Sequence, residues 1–125
     1  MVSLQMNSHF VTQINGDDWN IYLIPDHDEV IADETAAAAT DFEKREMYFR
    51  RGEISLACAR HEVFHAFAGY CYLGDTTSIL ISDVEEIFAA LISDRGERIV
   101  EKSVEIYNKL VIIRNHTGEL DEIEN

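Results

Sequence analysis

The chain has few basic side chains, few cysteines and a single proline. Its 125 residues include 10 Lys and Arg against 24 Asp and Glu, a formal net charge of −14. Because affinity for nucleic acids and anionic membranes is normally built from Lys and Arg, this balance argues against both as direct partners. A basic protein partner and an imitation of DNA stay open, while a solvated acidic surface is the commoner explanation.

The only two cysteines, Cys58 and Cys71, fall thirteen residues apart on one predicted helix. At 1.5 Å per residue they would lie about 20 Å apart, too far for a disulfide bond. Both are therefore predicted to be thiols, which suits a reducing compartment. The sequence shows no signal peptide and no apolar run long enough to cross a membrane. Together these features predict a cytoplasmic location.

Hydrophobic residues make up 46% of the chain, enough for one domain over residues 1–125 with a real core. Residues 10–14 and 19–24 alternate as strands do, and the Asn15-Gly16 pair between them predicts a hairpin. A third strand is predicted over Glu46–Arg50. The acidic end, residues 115–125, is expected to fray.

Helices are predicted around these strands. One covers residues 53–72, and a long second one runs from 83 to about 113 with a possible interruption at Gly96. The segment 26–40 is acidic and then rich in alanine. A short helix and a mobile loop are both open for it, and its alanines favour the helix. The expected fold is α+β, with a small antiparallel sheet of about three strands packed on the two helices.

The first long helix contains an H-E-x-x-H motif, His61-Glu62-Val63-Phe64-His65. Side chains four residues apart share one face of a helix, so both imidazoles can bind a single Zn²⁺. Glu62 lies beside them, where it can act as the general base toward a water molecule. Polar groups in so apolar a helix need partners, and a metal ion would supply them.

A catalytic zinc site commonly has three protein ligands, and His₂Glu is one of the standard sets. Glu85 and Glu86 begin the second helix about twenty residues after the motif, and both qualify by spacing. Ser82 and Glu85 also form a capping box, an alternative use of Glu85. Cys58, one turn before His61, is a less expected third ligand.

These residues resemble the small gluzincin-type zinc metallopeptidases of phages and prophages, which are related to ImmA/IrrE-like domains. The resemblance rests on HEVFHAF and EEIFAAL and spans residues 19–107. It implies Glu85 as the third ligand, with Glu86 as the alternative, and the host cytoplasm as the location if a phage encodes the chain. The DNA-binding domain of the larger regulators has no counterpart here.

The sequence therefore predicts a zinc-dependent peptidase in which His61, His65 and Glu85 hold the metal and Glu62 is the base. Its expected partner is a peptide or protein substrate bound along an exposed strand edge. Two alternatives stay open. One is a zinc-binding fold without activity. The other is an acidic DNA mimic that inhibits a protein partner, with acidic clusters at residues 26–34 and 119–124 as candidates.

Overall fold

The computed structural model describes residues 8–70 and the helix formed by residues 81–124; the side chains of residues 81–85, 87 and 118–124 lie outside the description. Four strands form one sheet, and they are β1 (His9–Ile14), β2 (Asp17–Ile24), β3 (Ala38–Asp41) and β4 (Glu46–Arg50). Their order across the sheet is β1-β2-β4-β3. The outer pairs β1–β2 and β3–β4 are antiparallel, whereas the central pair β2–β4 is parallel.

The α+β class is confirmed, and the predicted sheet needs two corrections. It has four strands rather than about three, and it is mixed rather than antiparallel, because β2 and β4 run in the same direction. The predicted hairpin is confirmed. Asn15 and Gly16 connect β1 to β2 with φ angles of 54° and 84°, the left-handed conformations that a two-residue turn between twisted strands requires.

The helix predicted within residues 26–40 is wrong. Residues 25–37 form turns and bends, and β3 occupies Ala38–Asp41 at the edge of the sheet. Four alanines cannot offset the cost of nucleating an isolated helix. Pairing with β4 instead satisfies the backbone groups of this segment, beginning with the bond from the Arg50 N–H to the Ala37 carbonyl (3.0 Å).

Two helices follow the sheet, after a single 3₁₀ turn at Arg51–Glu53. Helix α1 spans Leu56–Tyr70 and starts later than predicted, because the Ser55 side chain accepts a hydrogen bond from the Cys58 N–H (3.0 Å) as an N-cap. Helix α2 spans Ile81–Glu124 without an interruption at Gly96 and continues past 113. Cys71 and residues 74–80 of the predicted loop lie outside the described residues, and Ile81 already belongs to α2. Fraying of the C-terminal end stays a prediction.

The core lies between one face of the sheet and the two helices. Alternate residues of β2 and β4 supply the sheet side, as the period of two requires, and the helices supply small and branched side chains. The fully buried members include Trp19, Ile21, Met47, Phe49, Val63, Ala66 and Ile106. This packing holds α1 against the sheet. Neither described helix has a stretch apolar enough to cross a lipid bilayer.

Candidate metal centre

The two motif histidines lie side by side on the exposed surface of α1. One helical turn separates His61 from His65, and their Nε2 atoms are 3.1 Å apart. Two nitrogens that bind the same tetrahedral Zn²⁺ at 2.0–2.1 Å lie about 3.3 Å from each other. The separation of the two nitrogens is therefore close to that of two ligands of one zinc ion.

Glu62 points in a different direction from the histidines, because the next residue on a helix is rotated by about 100°. This rotation turns its side chain toward β3, and only 5% of the residue is exposed. One carboxylate oxygen, Oε1, accepts a hydrogen bond from Thr40 Oγ1 at 2.7 Å. The other, Oε2, lies 4.0 Å from His61 Nε2. One oxygen is thus held by the sheet while the other faces the histidine pair.

The third ligand is not fixed by the described side chains. Among the residues that could be searched, no three His, Cys, Asp or Glu side chains are placed to hold a metal ion together. The side chain of Glu85 lies outside the description, whereas that of Glu86 is exposed. The structure therefore brings together His61, Glu62 and His65. Which of the two glutamates is the third ligand has to be inferred from the geometry of α2.

Cys58 is a poor candidate for the third ligand. Burial, reinforced by the negative charges of Glu62 and Glu53, raises the pKa of its thiol to about 11. Its side chain is described, and it does not form a group of three possible metal ligands with His61 and His65.

A cleft of about 550 Å³ opens beside the histidines, between α1 and the edge strand β3. Its polar residues are Thr40, His61, Glu62 and His65, and the rest of the lining is apolar or small. On one wall the rings of Phe64 and Phe88 stack at 5.7 Å between centroids and 25° between planes. Phe88 remains 38% exposed, so this apolar wall is open to a ligand.

The width of the cleft depends on Gly69 in α1. A Cβ atom at this position would lie 2.3 Å from Cδ1 of Phe42, well inside van der Waals contact. Phe42 follows β3, and its ring packs edge-on against Tyr70 at 4.9 Å. The missing side chain lets the end of β3 approach the helix, which places the edge strand beside the motif.

A second cleft is lined by the acidic segment that was considered for DNA mimicry. Several of its carboxylates hold the loop itself. Asp28 accepts from the Val30 N–H (2.9 Å), Asp26 from the Gly52 N–H (2.6 Å) and Asp33 from Thr35. The hydrogen bonds from Thr35 lower the pKa of Asp33. Part of this negative charge therefore serves local structure.

The contacts of Thr40 and Arg50 are not indicated by the local sequence. Thr40 belongs to a segment expected to be helical, and nothing in its neighbours indicates a contact with Glu62. Arg50 was placed at the end of a strand, yet it is only 3% exposed and binds backbone carbonyls of the acidic loop.

Comparison of the chain with protein-family models, with curated proteins and with solved structures finds no match. The site must therefore be interpreted from its own geometry.

Proposed function

We propose that this protein is a zinc-dependent peptidase that hydrolyses peptide bonds within the cleft between α1 and β3. The observation that carries the proposal is the 3.1 Å separation of His61 Nε2 and His65 Nε2 beside the carboxylate of Glu62. A structural zinc site has no need of a base next to its ligands. The arrangement supports catalysis better than a purely structural metal site.

Glu85 is the proposed third ligand. Phe88 of α2 stacks on Phe64 of α1, so this side of α2 faces the motif helix. Position 85 lies about one turn before position 88, on the same side of the helix. Position 86, in contrast, is rotated by about 160° around the helix axis from position 88. Helix geometry therefore favours Glu85.

Zn²⁺, when bound, would polarise a peptide carbonyl and lower the pKa of a water molecule. Glu62 would take a proton from the attacking water through Oε2, the oxygen that faces the histidines, and return it to the leaving amine. His61 and His65 would act as ligands and take no part in proton transfer. The protein thus supplies the base, the metal ligands and a cleft that holds the peptide.

The edge of β3 offers a binding mode for the substrate. In the described residues β3 pairs with β4 alone. In an antiparallel pair of strands, opposite residues alternate between hydrogen-bonded and non-hydrogen-bonded pairs. The bond from the Arg50 N–H to the Ala37 carbonyl makes residues 37 and 50 a hydrogen-bonded pair, so Ala39 and Tyr48 form the next one. The backbone groups of Ala39 then point toward β4, and those of Ala38 and Thr40 point toward the free edge. An extended peptide can pair there as an additional strand.

The apolar wall indicates which side chain the substrate carries near the cleaved bond. Phe64 and Phe88 present stacked rings to the cleft, and Ala38 and Ala68 add small apolar surface. Transfer of a large apolar side chain onto such a surface is favourable by about 25 cal/mol per Å² buried. We therefore expect peptides with a bulky apolar residue to be cleaved faster than those with a charged one.

Metal content tests the zinc site first. Chain purified without chelators is expected to hold about one zinc ion, measured by atomic emission. His61→Ala and Glu85→Ala should lose it, and Glu86→Ala is the matched control that should keep it. Loss in Glu86→Ala with retention in Glu85→Ala would transfer the ligand role to Glu86. A folded wild-type chain that takes up no zinc would overturn the proposal.

Hydrolysis tests the role of Glu62. Glu62→Gln keeps the shape of the side chain and an oxygen for Thr40, so zinc should stay bound. Cleavage of a mixed peptide library should fall by about 10²–10⁴-fold, the usual contribution of a general base. Zinc bound by a wild-type chain that cleaves nothing would instead support the inactive zinc-binding fold.

We place the activity in the cytoplasm, in keeping with the predicted thiols.

A further inference from the structure

Thr40 connects the edge strand to the base of the motif. Its hydroxyl lies 2.7 Å from Glu62 Oε1 and 3.2 Å from the main-chain carbonyl oxygen of Glu62. A threonine hydroxyl has one hydrogen to donate, and the nearer, charged oxygen is the stronger acceptor. The main hydrogen bond therefore goes to the carboxylate, with the carbonyl as a secondary acceptor.

This hydrogen bond limits the orientation of the carboxylate. The last torsion of a glutamate side chain is broad, so a carboxylate without partners samples many rotations. With Oε1 held by Thr40, rotation of the group is restricted and Oε2 stays 4.0 Å from His61 Nε2. Thr40, which donates this hydrogen bond, is itself half-buried between β3 and α1. Thr40 thus fixes which oxygen of Glu62 faces the histidine pair.

The backbone of the same residue faces the other way. The alternation of β3 places the N–H and carbonyl of Thr40 at the free edge, where an extended peptide would pair. Such pairing would hold β3 in place, and with it the hydroxyl against Glu62. One residue therefore contacts both the substrate-binding edge and the catalytic carboxylate.

We propose that Thr40 is a positioning residue that couples peptide binding on β3 to the orientation of Glu62. The inference rests on the proposed function. Thr40 does not act on the reacting atoms; it acts through Glu62. Its loss should therefore reduce the catalytic step more than binding of the peptide, because the backbone groups of β3 remain.

Thr40→Val and Thr40→Ser form the test. Valine keeps the β-branched shape but removes the hydroxyl, and kcat should fall by about tenfold with little change in KM. Serine keeps the hydroxyl and should restore kcat to within about twofold. Thr35→Val, in the exposed loop, is the control and should keep the wild-type kcat and KM. A fall in kcat that serine does not rescue, or an unchanged kcat in Thr40→Val, would overturn the inference.

Two further measurements separate this inference from the proposed function. Zinc affinity should be equal in wild type and Thr40→Val, since no ligand is altered. Crystal structures of both proteins should show the Glu62 carboxylate rotated away from the histidines in the variant. An unrotated carboxylate would overturn the role of Thr40 whether or not the chain is active. A wild-type chain without hydrolysis, but with the rotation seen in Thr40→Val, would contradict only the proposed function.

Discussion

At the scale of single residues, Arg50 is the buried charge around which the acidic loop folds. Its guanidinium donates to five backbone carbonyls, those of Asp26, Asp28, Ile31, Asp33 and Ala36. A buried cation needs such partners, since an unpaired charge in the interior is costly. The loop therefore encloses Arg50, and the fold of residues 26–36 depends on one side chain of β4.

Removing this guanidinium should destabilise the fold. Arg50→Met retains apolar volume but leaves the carbonyls without their donor, and we expect the free energy of unfolding to fall by about 2–4 kcal/mol. Urea denaturation measures the change. Arg60→Met, at an exposed position of α1, is the control and should differ from wild type by less than about 0.5 kcal/mol. Equal losses in the two variants would contradict the role given to Arg50.

Glu105 gives a pH-dependent contribution to stability. Burial alone would raise the pKa of this carboxyl, but hydrogen bonds from Thr12 and Lys102 and the charges of Lys102 and Lys109 lower it overall. A carboxyl with a lowered pKa stabilises the fold above its ordinary pKa of about 4.5. This contribution disappears as the pH falls through the folded pKa.

Glu105→Gln should therefore lower the free energy of unfolding at pH 7 by about 1 kcal/mol or less, because the site is partly exposed. At pH 3, below the ordinary pKa of a glutamate carboxyl, the difference between the variant and the wild type should be smaller. Urea denaturation at the two pH values measures the effect. Glu101→Gln, at an exposed position one turn earlier, controls for the loss of one negative charge. A difference from wild type that is the same at both pH values would rule out this assignment.

At the scale of the elements, two helical glycines differ in what surrounds them. Gly69 of α1 lies against the ring of Phe42, whereas the nearest atom to a Cβ at Gly96 of α2 would be Ile92 Cγ2 at 3.9 Å. Alanine is favoured over glycine in a helix by about 1 kcal/mol. The same substitution should therefore have opposite effects in the two helices.

Gly69→Ala should destabilise the protein by about 1–3 kcal/mol, because the added methyl group overpacks against Phe42 and pushes β3 away from α1. Gly96→Ala should stabilise it by up to about 1 kcal/mol. Thermal and urea denaturation of both variants test the pair. A stable Gly69→Ala would show that Phe42 moves easily and that the position of β3 does not depend on this contact.

At the scale of the whole molecule, the net charge of −14 opposes compaction. Like charges are closer together in the folded state than in the unfolded chain, so their repulsion destabilises the fold. Salt shortens the screening length from about 30 Å at 0.01 M to about 8 Å at 0.15 M. We expect the melting temperature to rise over this range of NaCl. A melting temperature that stays constant or falls would mean that local ion pairs outweigh the general repulsion.

Much of the fold could be predicted from local sequence. The Asn15-Gly16 turn, the strand at Glu46–Arg50 and the motif helix each depend on nearby residues, and all three are present. The edge strand β3 could not be predicted, because alanines favour a helix and only pairing with β4 makes the segment extended. The parallel pairing of β2 with β4 likewise depends on the path of the chain between them.

The sequence by itself determined the spacing of His61, Glu62 and His65, since a helix fixes the distance between residues one turn apart. The tertiary structure alone decided what faces them. Folding brought β3 and its Thr40 against Glu62 and enclosed Arg50 in the acidic loop, and it stacked Phe88 on Phe64. These contacts join residues distant in the chain, and no local pattern of side chains encodes them.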